Sequence, residues 1–191
     1  ETEVTSARNR ILSYMKKYVG EIVKSDELMV VAGISEYARR VRELRKDLGW
    51  RIISGVTAAE SAAEENVPQN GSEPLAKMKP DEYMLVSLEQ DREAAHRYNV
   101  AKELRKQDIS VRDKLLRFLQ LNVGKIVNGE ELRYVAKDKT EWARRVRELR
   151  TEYGWPVATH YSGRPDLPPG WYVLERNVQA PPHDRTIKDN V

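Results

Sequence analysis

The side chains in this sequence whose types and spacing could do chemistry are arginines and glutamates, and that chemistry is recognition. Arg39, Arg42 and Glu43 stand in one segment, and Arg144, Arg147 and Glu148 stand in another at the same spacing. A guanidinium is a planar fork of donors that fits a carboxylate, a phosphate, or the O6/N7 edge of guanine. A glutamate accepts, whether from an arginine or from cytosine N4. Side chains for breaking bonds do not assemble in the same way. The sequence has no cysteine, which excludes disulfides, thiolate metal sites and cysteine nucleophiles. It also has no phosphate-cradling glycine loop, nucleophile elbow or HExxH. His96, His160 and His183 match no metal-ligand spacing, and the carboxylates lie among arginines and lysines without a distinct acid/base pair.

The elements that position these residues are two copies of one helix. Residues 38–45 read ARRVRELR, residues 143–150 read ARRVRELR again, and Gly49-Trp50 and Gly154-Trp155 follow each after three residues. The duplication implies a repeated module. Tyr37, Val41, Leu44 and Leu48 share one stripe at about 100° per residue. Ser35, Arg39, Arg42 and Lys46 fall opposite, with Glu43 beside them and Arg40 and Arg45 at the borders. In the second copy Trp142, Val146, Leu149 and Tyr153 face inward, while Thr140, Arg144, Arg147, Glu148 and Thr151 face outward. Ser35 and Thr140 are expected as N-caps, and Gly49 and Gly154 as left-handed caps at the C-terminal ends.

At 191 residues the chain has room for two small domains, and the offset of the octamers fixes where each falls. Hydrophobic content of 40% and charged content of 33% are ordinary for a globular protein. No apolar run approaches the roughly 20 residues needed to span a membrane. A cytoplasmic, nucleoid-associated protein without a membrane partner is the expectation. The net charge is only +3, so an argument for nucleic acid rests on where the charge lies rather than on its total.

Taken in order, Val4 to Val23 carries a helical apolar pattern ending in V-G-x-I-V, a phrase that recurs at Val123 to Val127 after a comparable helix. Short helices are expected at Glu27 to Ala32 and Glu131 to Ala136, each followed by a turn that is one residue longer in the second copy. Helix, short helix, turn and amphipathic helix is a helix-turn-helix layout. In the second copy, strands at Trp155 to Tyr161 and Trp171 to Leu174 flank the Gly- and Pro-rich 162–170 segment, predicting a β-hairpin wing. In the first copy, strands at Trp50 to Val56 and Tyr83 to Leu88 are separated by Thr57 to Glu82, with six acidic residues against two lysines. That stretch reads as a long mobile wing insertion poorly suited to touching phosphate. The expected organisation is α+β, mainly α: module one at 1–88 with its insertion at 57–82, a helical connector at 89–109, module two at 110–176, and a tail or linker at 177–191.

The run R-R-V-R-E-L-R-x-x-x-G-W, followed by a hairpin with G-R-P-D-L-P-P-G-W-Y-V-L, resembles the winged-helix modules that precede the nuclease domain of bacterial HNH-type restriction endonucleases. The ending H-D-R-T-I-K-D-N-V resembles the basic lead-in to such a domain. The resemblance implies two tandem winged helices that bind double-stranded DNA at specific sites, with sensing of a modified base as a further property. It implies a nuclease supplied by residues absent here, so a divalent metal would belong to that absent domain and these residues would hold no cofactor and no catalysis.

The expected DNA contacts are Arg39, Arg42, Glu43, Arg144, Arg147 and Glu148 at base edges, each helix lying in a major groove. Ser35, Thr140, Arg40, Arg145, Lys46, Thr151, Arg51 and Arg164 are candidates for the surrounding contacts, with Lys137 and Lys139 in the turn. Simpler readings stand beside these. Glu36/Arg40, Glu141/Arg145 and Arg39/Glu43 are four residues apart and could form surface pairs worth a few tenths of a kcal/mol. Trp50, Trp142, Trp155 and Trp171 read as core and wing packing. A transcriptional regulator and a protein-interaction module are the alternative functions. No small-molecule substrate is evident, and the sequence does not fix the oligomeric state.

Overall fold

In the computed structural model, residues 6–65, 67 and 74–181 are described. The chain forms two compact units, one from Glu1–Ala59 with Ser72–Tyr98 and the other from Glu60–Gly71 with Asn99–Val191. Both are mixed helix and sheet. Among the described residues no helix is long and apolar enough to cross a membrane.

The first unit begins with α1 (Ala7–Lys17), capped by Ser6, whose hydroxyl accepts from the Asn9 amide at 3.2 Å. It continues through β1 (Val23–Lys24), α2 (Ser25–Ala32), α3 (Tyr37–Lys46) and β2 (Trp50–Ser54). Helix α4 (Gly55–Glu64) starts here and its residues from Glu60 onward count with the second unit. A 3-10 turn at Pro74–Lys77, β3 (Glu82–Gln90) and the first turn of α5 (Ala94–Lys106) complete the unit. The strands form an antiparallel sheet in the order β1-β3-β2, with Val23 opposite Tyr83 and Ile52 opposite Leu85. Ile11, Met15, Leu28, Val41, Leu44, Ile52 and Leu85 fuse the three helices and the sheet into one core. Arg10 of α1 donates to the carbonyls of Val31 (3.0 Å) and Ala32, satisfying the open end of α2 where Gly33 turns left-handed at φ +66°.

The second unit repeats the order with α6 (Val111–Leu121), β4 (Val127–Asn128), α7 (Gly129–Val135), α8 (Trp142–Thr151), β5 (Val157–Thr159) and β6 (Trp171–Leu174). Its sheet runs β4-β6-β5, again antiparallel. Ser110 caps α6, and Asn128 with Glu131 forms a reciprocal capping box on α7. Phe118, Leu132, Trp142, Val146, Leu149 and Tyr172 lie in its core. The turn into α8 is longer than its counterpart, and Lys137 and Asp138 both adopt φ +58° to make it. The end of α7 is held by Arg105 of α5, which bonds the Tyr134 carbonyl at 2.5 Å and Asp138 at 3.0 Å.

Several expectations need correction. The opening helix stops at Lys17, and V-G-x-I-V is a turn and a strand. Gly20 and Gly124, at φ +81° and +74°, end the helical path, so each sheet gains a third strand. Ser35 and Thr140 are not N-caps: the N-caps of α3 and α8 lie one residue later, at Glu36 and Glu141, and make no side-chain cap bond. Gly49 and Gly154 are left-handed as expected, both at φ +71°, two residues beyond the C-caps Asp47 and Glu152. The strand expected at Trp155 to Tyr161 is confined to Val157–Thr159.

The insertion is the largest correction. Gly55–Glu64 is helical rather than a mobile tip, and Thr57, Ala58 and Ser61 are buried along it. Leu75 and Met78, further on, are buried as well. Residues 66 and 68–73 of the expected insertion, and residues 182–191 of the expected tail, lie outside the described residues.

Candidate nucleic-acid interface

In the first unit, α3 turns Val41 and Leu44 into the core and its guanidinia away from it. The Arg39 side chain is 65% exposed and 3.3 Å from Glu43. Arg40 binds the same carboxylate through two bonds of 2.9 and 3.0 Å, and this bonding holds the Glu43 carboxyl below the usual range. Glu43 is therefore a clamp between two arginines, and the expected Glu36–Arg40 pair is replaced by Glu43–Arg40. Arg42 is exposed and makes no ion pair among the described residues. Ser35 is exposed in the preceding turn. The Lys46 ammonium lies 5.0 Å over the Tyr98 ring, and Arg51 pairs with Glu89 at 3.1 Å across the sheet.

In the second unit α8 presents the same octamer with a different set of partners. Glu148 is gripped by Arg145 at 2.8 Å and Arg144 at 3.7 Å, reproducing the clamp on α3. Glu141 adds contacts to Arg144 (3.5 Å) and to Arg145 (3.9 Å), the latter being the expected i,i+4 pair. Thr151 turns its hydroxyl back to the Arg147 carbonyl at 3.2 Å. Thr140 is exposed in the turn, as are Lys137 and Lys139. On the hairpin Arg164 is forked onto Asp166 through two 2.8 Å bonds.

The part sequence reasoning missed is the reach of α4 onto this helix. From Glu60 onward its carboxylates serve the second unit. Glu60 accepts from the Trp142 indole at 2.6 Å and the Arg133 guanidinium at 3.1 Å. Glu64 pairs with Arg147 at 3.1 Å. Glu65 lies 3.7 Å from Arg150 and accepts from the Thr159 hydroxyl at 3.1 Å. Burial pushes the Glu65 carboxyl up, against the pull of Arg150 and Thr159. Ser61 and the buried Tyr172 hydroxyl meet at 2.6 Å. The acidic stretch that reads as poorly suited to touching phosphate thus pairs with Arg133, Arg147 and Arg150.

The four tryptophans pack as expected or nearly so: Trp142 and Trp171 are buried, Trp50 lies in the first core, and Trp155 packs against the second. His160 is bonded to the Leu167 carbonyl at 2.6 Å, and His183 lies outside the described residues. Among the described residues no three acidic or histidine side chains cluster as metal ligands would.

A family model for the KpnI N-terminal domain matches residues 8–86 and 112–175, most of the chain. The chain belongs to the KpnI N-terminal domain family. Its two matched stretches start 104 residues apart, which is the offset of the repeat upstream of the turn. The KpnI N-terminal domain is part of a restriction enzyme, so the restriction-enzyme kinship expected from the octamer and hairpin holds. No curated protein and no solved structure matches the chain.

Proposed function

We propose that this KpnI N-terminal domain relative binds double-stranded DNA, and that its two units are winged-helix modules using α3 and α8 as recognition helices. The observation that carries the reading is the duplicated helix. The same octamer is built twice, each time after a helix and turn, with its leucines and valine buried and Arg39 or Arg144 turned outward. A helix about 10 to 12 Å across fits the major groove, where arginine reads guanine. Three helices followed by a small antiparallel sheet supply the layout that such modules use. The family membership supports a restriction context.

In this reading Arg39, Arg42 and Arg144 face base edges, and Glu43 and Glu148 fix the rotamers of their neighbouring arginines. Cleavage, whether by an HNH nuclease or another, and any metal are assigned to residues outside this chain. The test is binding of the whole chain to a mixed-sequence duplex while salt is varied. Affinity falling linearly on a log–log plot, with one phosphate contact for each roughly 0.9 of slope, supports the reading. Absence of binding at low salt removes it. A methylated duplex run in parallel reports on modified-base sensing.

A second reading, docking to another protein, is favoured by Met29 and Val30, which α2 leaves 40% and 79% exposed. Such binding would be insensitive to salt, so the same titration separates the two.

A further inference from the structure

We infer that the two recognition helices are unequal: α3 presents Arg42 ready for DNA, whereas α4 holds its counterpart on α8, Arg147, under an acidic strap that DNA phosphates must displace. The inference rests on the DNA-binding reading and adds to it a difference between identical sequences.

The comparison is internal. Arg42 and Arg147 occupy the same place in the octamer and the same angle on their helices, about 140° from the first core residue. Arg42 is exposed without an ion pair among the described residues, while Arg147 is bound by Glu64 at 3.1 Å. One turn further along the same flank, Arg150 faces Glu65. The octamer cannot explain these differences, because it is the same octamer. The difference is α4, whose Glu60 is anchored to Trp142 and Arg133 and so holds the following carboxylates over this side of α8.

The strap is weak enough to open. The Arg147 and Glu64 side chains are 41% and 24% exposed, so their attraction is screened and falls in the range of a surface pair, below about 1 kcal/mol. A carboxylate at a guanidinium stands where a phosphate oxygen would stand, and the two anions compete for it. Removing the Glu64 charge relieves that competition, and an interaction of up to about 1 kcal/mol corresponds to a gain of roughly fivefold in affinity. It also frees one cationic contact, which steepens the salt dependence by roughly 1 in log–log slope.

The experiment is a fluorescence anisotropy titration of the whole chain against one duplex at several salt concentrations. Four proteins are compared with the unmodified chain: Glu64→Gln, Arg147→Ala, Arg42→Ala and the Glu64→Gln/Arg147→Ala double variant. Glu64→Gln should bind about fivefold tighter, and the double variant should lose that gain, since the effect runs through Arg147. Arg147→Ala should stay within about twofold of the unmodified chain, while Arg42→Ala should weaken binding about tenfold. Equal losses for Arg42→Ala and Arg147→Ala overturn the inequality while leaving DNA binding intact. So does a Glu64→Gln protein with unchanged affinity and slope. If neither the unmodified chain nor Glu64→Gln binds duplex, the strap and the DNA reading fall together.

Discussion

Replacing Gly49 by alanine tests how α3 is held against its sheet, and a glycine of the second unit supplies an internal control. Gly49 turns the chain from α3 into β2 at φ +71°, and Gly154 does the same after α8 at φ +71°. An L-residue in this conformation costs about 1 to 2 kcal/mol. For Gly124 of the second unit, left-handed at φ +74° with open space where a Cβ would stand, that cost is the whole expectation. For Gly49 a Cβ would also collide with the Asp91 carbonyl, and backbone cannot give way as a flexible side chain can. The Asp91 amide bonds the Gly49 carbonyl at 2.8 Å, so moving this strand pair apart breaks a bond worth about 1 kcal/mol net and leaves its groups to find water. The sum is roughly 3 to 4 kcal/mol for Gly49→Ala against about 1 to 2 for Gly124→Ala. Hydrogen exchange followed by mass spectrometry assigns the loss to peptides of the first or the second unit. Equal protection losses in the two variants would refute the close approach at Gly49.

Other perturbations address the parts around the recognition helices. Asp91 is partly withdrawn from water, which disfavours its charge, but its bond to the buried Arg97, the Glu93 amide and the charges of Arg97 and Arg51 together outweigh that and hold its carboxyl below the usual range. A depressed folded-state pKa contributes stability that is present above the ordinary aspartate value near 4 and fades as pH falls through the folded value. Asp91→Asn should therefore cost about 2 kcal/mol at neutral pH, between the roughly 1 of an exposed pair and the roughly 3 to 5 of a fully buried one because Asp91 is a quarter exposed, and should flatten the acid limb of a urea-midpoint profile. An unchanged profile would contradict the assignment. Glu60→Gln replaces an ionised acceptor for Trp142 and Arg133 by a neutral one and should cost about 2 kcal/mol, with a shifted tryptophan emission. Unaltered stability and emission would mean that α4 is not docked as described.

How much of this was legible in the sequence follows from which forces are local. The octamers carry their structure in their own periodicity, so α3 and α8 start and end within a residue or two of the expected positions, and Gly49 and Gly154 are left-handed where the pattern placed them. The strands β1 and β4 were hidden because two-residue strands exist only through pairing with β3 and β6, distant in the chain. Helix α4 was misread because its buried face is made of Thr57, Ala58 and Ser61, small residues that give almost no hydropathy signal. Its Ala and Glu content did favour a helix. The clamp of Glu43 was half visible as the i,i+4 spacing from Arg39, although the shorter bonds of both clamps run to Arg40 and Arg145 three residues away. The pairing of Glu64 with Arg147 joins residues far apart in sequence, and no spacing rule reaches that far.

The central claim is that the duplicated helix reads DNA, and selection from a randomised duplex library addresses it most directly. The unmodified chain and Arg39→Ala are each incubated with the library, and the retained duplexes are sequenced. The account predicts a defined motif for the unmodified chain. For Arg39→Ala it predicts continued salt-sensitive retention with preference relaxed at one position, a loss of about 1 to 3 kcal/mol of discrimination there. No enriched motif from either the plain or a methylated library, or an identical motif from both proteins, would contradict it.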